Sequence, residues 1–282
     1  MIRFALAVAA LALSAPLAAQ DAAPDALAAA QQAQATAAQM AEVQAATALA
    51  QMQFAAMNTG ALDDSYQGAI AMPGAEDNSW LAIIVGKRGT GPDAPHVALA
   101  EYEIVDGAII SEIIHLPGNA PELDGNASAM AQARAFAPRA VLASRSAAFC
   151  TIGEADVVSF STIVMPVRED GRFDAYVLNG PIENGAIPLG RHFKVSFDEF
   201  GLSGEPELLT DTCEVVTWDS AVSDHSGNAY VTDIRADRVP NEIHAFISGL
   251  LPMTLAVASG ERVWPVTGGM IAEPVAPAAT SD

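Results

Sequence analysis

The sequence predicts an α+β fold: a mainly antiparallel sheet domain with one or two helices, preceded by a long Ala/Gln-rich helix. Three observations carry that expectation. Residues 20–57 are dominated by Ala and Gln, with scattered Met and Leu and no glycine, which is the composition of a helix. Between Ser79 and Ala272, short runs of β-branched and aromatic residues recur every roughly 8–14 residues, separated by Gly, Pro, Asn and Asp. These runs do not alternate with helical patterns, which argues against a doubly wound parallel sheet, and no repeat of fixed period is present.

Taken in order, residues 1–19 have the form of an export signal. Arg3 supplies the charge, Phe4–Leu13 the apolar run, and Ser14–Ala19 small residues for cleavage after Ala18 or Ala19. The run is too short for a permanent membrane helix. No cysteine follows it, so no lipid anchor is expected. The mature chain is expected in a bacterial periplasm or beyond. Residues 20–58 form the helical segment, from about Asp25 to Met57, with Pro24 tolerated at its start and Asn58-Thr59-Gly60 ending it. Its alanine-rich face is expected to pack weakly, so the helix is expected to be a mobile stalk or to pair with a second copy. Residues 59–78 read as a linker, 79–272 as the globular α+β domain, and 273–282 as a disordered Pro/Ala tail.

Within the domain, Trp80–Val85 is a strand candidate. Val97–Val105 and Ala108–Leu116 form a hairpin around Asp106-Gly107. Ser128 is placed to cap a helix over Ala129–Ala135, ending near Pro138 and resuming through Leu142. Val157–Val167 reads as a buried strand, turning at Glu169–Arg172 into Phe173–Leu178. A loop rich in Gly, Pro and Asn leads to the strand His192–Phe197. Glu207–Leu209, Cys213–Trp218, Tyr230–Ile234, Ile243–Ile247, Met253–Val257 and Val263–Val266 follow as short strands, with Asn241–Ser248 alternatively a helical turn.

The charge balance narrows the partners. The chain carries 13 Lys/Arg against 34 Asp/Glu, a formal net of −21. Removing residues 1–19 takes Arg3 and no acid, leaving 12 against 34, or −22. Such a chain repels phosphate backbones, so nucleic acid is not an expected partner. Beyond residues 1–19, no stretch reaches 18 consecutive apolar residues, and no permanent span is expected. Two cysteines, Cys150 and Cys213, lack CxxC spacing. In an oxidising compartment they suggest one structural disulfide, worth roughly 4 kcal/mol in the chain-entropy model. A buried thiol pair or a nucleophilic Cys150 are the alternatives.

The stretch Phe173–Asp198 gathers the most chemistry: Asn179, Glu183, Asn184, Arg191, His192, Lys194 and Asp198. The five histidines, His96, His115, His192, His225 and His244, show neither HExxH nor HxH spacing, so neither a metal nor a cofactor is expected. His192 and His244 are the better pair, both in strand-like contexts beside a charged residue. Ser161, His192 and Asp198 could assemble as a nucleophile, base and acid, although no GxSxG elbow is present. Gly86–Gly91 lacks the order of a phosphate loop. Asp63–Gly68 starts like a calcium loop, but Gly74 stands where the bidentate Glu is required.

Pro240, Glu242, Ile243, His244, Phe246 and Ser248, followed by Trp264, Val266, Gly268 and Ile271, resemble a pattern of uncharacterised exported bacterial proteins. Gly190–Phe193 and Cys213 look similar as well. The resemblance implies a shared exported domain and no activity. Three readings of function follow. The first is a non-enzymatic binding or structural module of the cell envelope. The second is a periplasmic hydrolase using His192 or His244 with a nearby Ser or carboxylate. The third is a protein that self-associates through residues 20–58.

Overall fold

The computed structural model describes residues 24–57, 65–91, 93–116, 118–144, 159–180, 182–222, 224–225 and 227–276. The expected export signal, Cys150, residues 151–158 and the end of the tail lie outside them. The fold is α+β and mainly antiparallel, with a long N-terminal helix ahead of the sheets.

Helix α1 spans Pro24–Met57, 34 residues. At 1.5 Å per residue it is about 50 Å long. Its buried residues are Ala30, Ala33, Ala37, Met40, Val43, Ala46, Ala50 and Phe54, spaced three or four apart along one face. That face lies on a four-stranded sheet made of β1 (Tyr66–Pro73), β2 (Ser79–Lys87), β3 (His96–Val105) and β4 (Ala108–Ile114), in the order β1-β2-β3-β4, every pair antiparallel. The strands meet the helix with Ala69, Ala71, Ala82 and Ala100, which share its hydrophobic cluster.

Two expectations are corrected here. Pro24–Met57, the described part of the expected 20–58 segment, does not form a stalk, because small side chains on both surfaces let helix and sheet approach closely. The stripe expected to pair with a second copy is covered by the same chain. And Tyr66–Pro73 is a strand rather than linker, paired from Ala69↔Ile84 to Pro73↔Trp80, with a bulge at Gly68.

The Asp106-Gly107 hairpin forms with both residues at positive φ, 49° and 75°, as a type I′ turn requires. Helix α2 runs unbroken over Gly125–Ala143 with Pro138 inside it. It begins earlier than expected, with Asp124 at the N-cap position but no side-chain cap bond, while Ser128 sits within the first turn and its N–H donates to the Asp124 carbonyl at 3.1 Å.

The second sheet comprises β5 (Ser159–Val164), β6 (Phe173–Gly180), β8 (Phe193–Phe197) and β9 (Glu207–Leu208), in that order, while β7 (Ala186–Pro188) pairs with β10 (Val215–Thr217). Helix α2 covers one face of both the first and second sheets, where its Met130, Ala133, Ala137 and Val141 share one hydrophobic cluster with Ile83 and Val85 of the first and Val177 and Val195 of the second.

The third sheet is β11 (Ala229–Ile234), β12 (Thr254–Ser259), β13 (Arg262–Thr267) and β14 (Met270–Ile271). The β11–β12 pair is parallel, the exception to the antiparallel pattern, and helix α3 (Glu242–Ser248) makes the crossover. Asn241–Ser248 is thus helical, so His244 does not lie in a strand. A capping box decides it: the Asn241 side chain accepts from the N–H groups of Ile243 and His244, and the Asn241 N–H is met by the His244 ring.

Candidate functional site

His192 follows a tight passage of backbone. Gly190 lies so close to the Thr212 carbonyl that a Cβ could not fit, and Arg191 takes a positive φ of 62°. The His192 ring is fully buried. Its Nδ1 accepts from the Asn179 N–H at 3.0 Å, and its Nε2–H donates to the Pro188 carbonyl at 3.0 Å. The first bond leaves Nδ1 without a proton, which fixes the neutral tautomer that the second bond needs. Burial lowers its pKa to about 4. The imidazole therefore ties the end of β6 to the end of β7 while uncharged.

His244 sits at the third position of α3. Its Nδ1 is 3.2 Å from the Asn241 nitrogen and 2.7 Å from Asn241 Oδ1. Burial first, and then the field of His192, lower its pKa to about 4 as well. The structure thus brings the two histidines within electrostatic reach of each other, although one precedes a strand and the other is helical. His244 also borders a cavity of about 190 Å³ with Thr210, Asp211, Thr232, Arg235 and Arg238.

Ser161 and Asp198 do not join them. Ser161 is exposed on β5, opposite Leu178. Asp198 lies beyond β8, where its Oδ1 accepts from the N–H groups of Phe200 at 3.0 Å and Leu202 at 2.8 Å. Five residues of extended chain, Phe193–Phe197, separate it from His192, roughly 20 Å. The Asp198 carboxylate holds a turn.

The other polar residues of Phe173–Asp198 are dispersed. Asn179 is buried at the end of β6, and Glu183 and Asn184 are exposed in the turn before β7. Arg191 is half-buried. Lys194 pairs with Glu207 at 2.8 Å and lies 4.0 Å from Glu242. That glutamate accepts from the Tyr176 hydroxyl at 3.1 Å, and burial followed by the Glu242 charge raises the Tyr176 pKa. Among the described residues, no group of three or more His, Cys, Asp and Glu could hold a metal ion. Cys213 follows Thr212 at the Gly190 crossing, while its expected partner Cys150 lies outside the described residues.

A further concavity was not legible as a site. It is a groove of about 820 Å³ along α2, bounded by Phe136, Phe173, Phe197, Phe200 and Leu202, with Asn126, Gln132, Arg139 and Glu199 at its polar margins. Phe173 stacks on Phe197 at 4.9 Å, and Phe136 meets Phe197 edge-on at 6.3 Å. Phe200 is 80% exposed on the turn that Asp198 holds. The available signal was an aromatic residue and a leucine inside a polar, glycine-containing turn, Asp198–Gly204.

Comparison with protein-family models, with curated proteins and with solved structures found no match. The residues of the C-terminal pattern have structural work in this fold. Ile243, Phe246, Trp264 and Val266 are core, and the Ser248 hydroxyl donates to the Ala245 carbonyl and accepts from the Gly269 N–H.

Proposed function

We propose that this chain is an exported cell-envelope protein that works by binding rather than by catalysis. The observation that carries the reading is the open groove along α2, where apolar rings stand exposed in a chain with few aromatic residues. Its lining suits an amphipathic ligand, with an apolar part on Phe136, Phe200 and Leu202 and a polar part toward Gln132 and Arg139. The export-signal character of residues 1–19, and the likeness to exported proteins around Pro240–Ser248, support the compartment. Cys150 and Cys213 are assigned to one disulfide on their even count and that compartment. Thiol labelling of the unfolded, unreduced mature protein should then find no free thiol; two free thiols would remove the crosslink.

An apolar anionic dye such as anilinonaphthalene sulfonate tests the groove. Mature protein should enhance its fluorescence saturably, and a Phe200→Ser/Leu202→Ser variant of unchanged far-ultraviolet circular dichroism should lose most of the signal. Equal signals from the two proteins would refute the groove.

A hydrolase remains the second reading, because His244 borders a cavity. Turnover of a peptide or cell-wall substrate, lost in a folded His244→Asn protein, would establish it over binding.

A further inference from the structure

The sheet edges of this molecule are not treated alike. The outer side of β1 is engaged by Arg134, whose Nε donates to the Gln67 carbonyl at 3.3 Å, and β5 by the same side chain, whose Nη1 donates to the Thr162 carbonyl at 2.7 Å. The outer side of β14 is engaged by Gln34, whose Oε1 accepts from the Ile271 N–H at 2.9 Å. Strand β4 is different. Among the described residues no side chain or loop bonds its outer backbone.

The direction of those free groups follows from the pairing. The His115 N–H donates inward to the Leu99 carbonyl at 3.0 Å, so Ile113 and Ser111 also point inward and the amides of Glu112 and Ile114 point out. This edge is also apolar and exposed: Ile110 is 58%, Ile113 53% and Leu116 69% accessible. Long apolar edges are normally blunted by lysine, proline or a covering segment. Here the charges near the edge are acidic, on both faces. Glu101 and Glu103 stand directly across from Ile113 and Ser111, Glu112 lies on the α1 side within reach of Gln53, and Asp106 occupies the turn. Among the described residues, no Lys or Arg pairs with Glu103, Glu112 or Asp106.

We propose that the outer edge of β4 is a docking site for an extended segment of a cationic partner, in which apolar residues alternate with Lys or Arg, added as a fifth strand to this sheet. The backbone of Glu112 and Ile114 supplies the ladder, Ile110 and Ile113 the apolar contact, and the flanking acids select the charge. A second copy of the chain fits less well, since it would bring Glu112 and Asp106 against their own equivalents.

The test uses the mature protein and a nine-residue peptide alternating Lys with Val or Ile, followed by amide NMR. Saturable shifts confined to residues 108–116 are expected, with affinity falling at least tenfold between 50 mM and 500 mM salt. The same peptide N-methylated at alternate positions, on the side that would face β4, should bind at least tenfold more weakly, because it lacks the ladder donors. In a Glu103→Lys/Glu112→Lys variant the preference should shift to the matching Glu-substituted peptide. Equal binding of the N-methylated peptide, or shifts elsewhere, would overturn the proposal. So would slow hydrogen exchange at the Glu112 and Ile114 amides without peptide, which would mean that the edge is already covered.

Discussion

The guanidinium of Arg134 occupies the space in which a side chain at Gly68 would begin. A Cβ at that position would overlap Nε and stand 2.7 Å from Nη2, and Gly68 also holds a φ of +101°. The glycine makes the bulge in β1, and the bulge admits the arginine that clasps two sheets through the carbonyls of Gln67 and Thr162.

Gly68→Ala therefore meets both a disfavoured backbone and a blocked Cβ. It should destabilise the protein by about 2–4 kcal/mol, read as a lower urea midpoint. Arg134→Lys should also destabilise, by about 1–2 kcal/mol, because one ammonium cannot serve two carbonyls in the planar arrangement of a guanidinium. A glycine variant as stable as the parent would show that the bulge relaxes freely.

His192 and His244 give the fold an acid limit. Each is neutral when folded and has its pKa lowered to about 4 by burial. In the unfolded chain each titrates near 6.5. Between those values the unfolded state binds more protons, so stability rises with pH. It is complete above about pH 6.5 and is lost progressively as the pH falls toward 4. Thermal melts should show the decline beginning above pH 5, before most carboxylates protonate. A folded His192→Asn protein should show a shallower slope over that interval; an unchanged slope would assign the loss elsewhere.

The small-residue contact of α1 gives a third test. Met40 is fully buried beneath the helix, so Met40→Ala should cost about 2–4 kcal/mol. Ala50→Leu should also destabilise, by about 1–3 kcal/mol, since no space is left for the added atoms. A stalk would tolerate both. Deleting residues 20–58 should unfold the domain rather than change its oligomeric state, and a folded deletion variant would contradict that outcome.

Much of the sheet pattern was legible because turn chemistry is local. Asp106-Gly107 and Glu169–Arg172 mark their hairpins without knowledge of the rest. The role of α1 was not legible, because alanine looks weakly apolar on one helix and gains its value only against Ala69, Ala71, Ala82 and Ala100 on another element. Tyr66–Pro73 reads as linker because Gly68 and Pro73 are poor strand residues in isolation. Each is explained by position, Gly68 at the bulge beneath Arg134 and Pro73 as the last residue of the strand. Within the candidate site, His192 and His244 were recognisable by residue type. The partners of His192, the Asn179 amide and the Pro188 carbonyl, are backbone groups, which residue types do not announce. Phe136 and Phe200 were hidden because a groove forms from α2 and a distant turn.

The hydrogen bond from Ile271 to Gln34 joins positions 237 apart in sequence. Helix α1 likewise packs on α3, so the first described element rests on one of the last. A chain built this way has a high contact order and finishes folding late. During synthesis β1 and β2 follow the helix directly, but the rest of its surface, α3 and β14, emerges only near the end. The nascent polypeptide thus cannot close its core until nearly its whole length is available, the condition in which a translocation channel that passes unfolded chains could accept it.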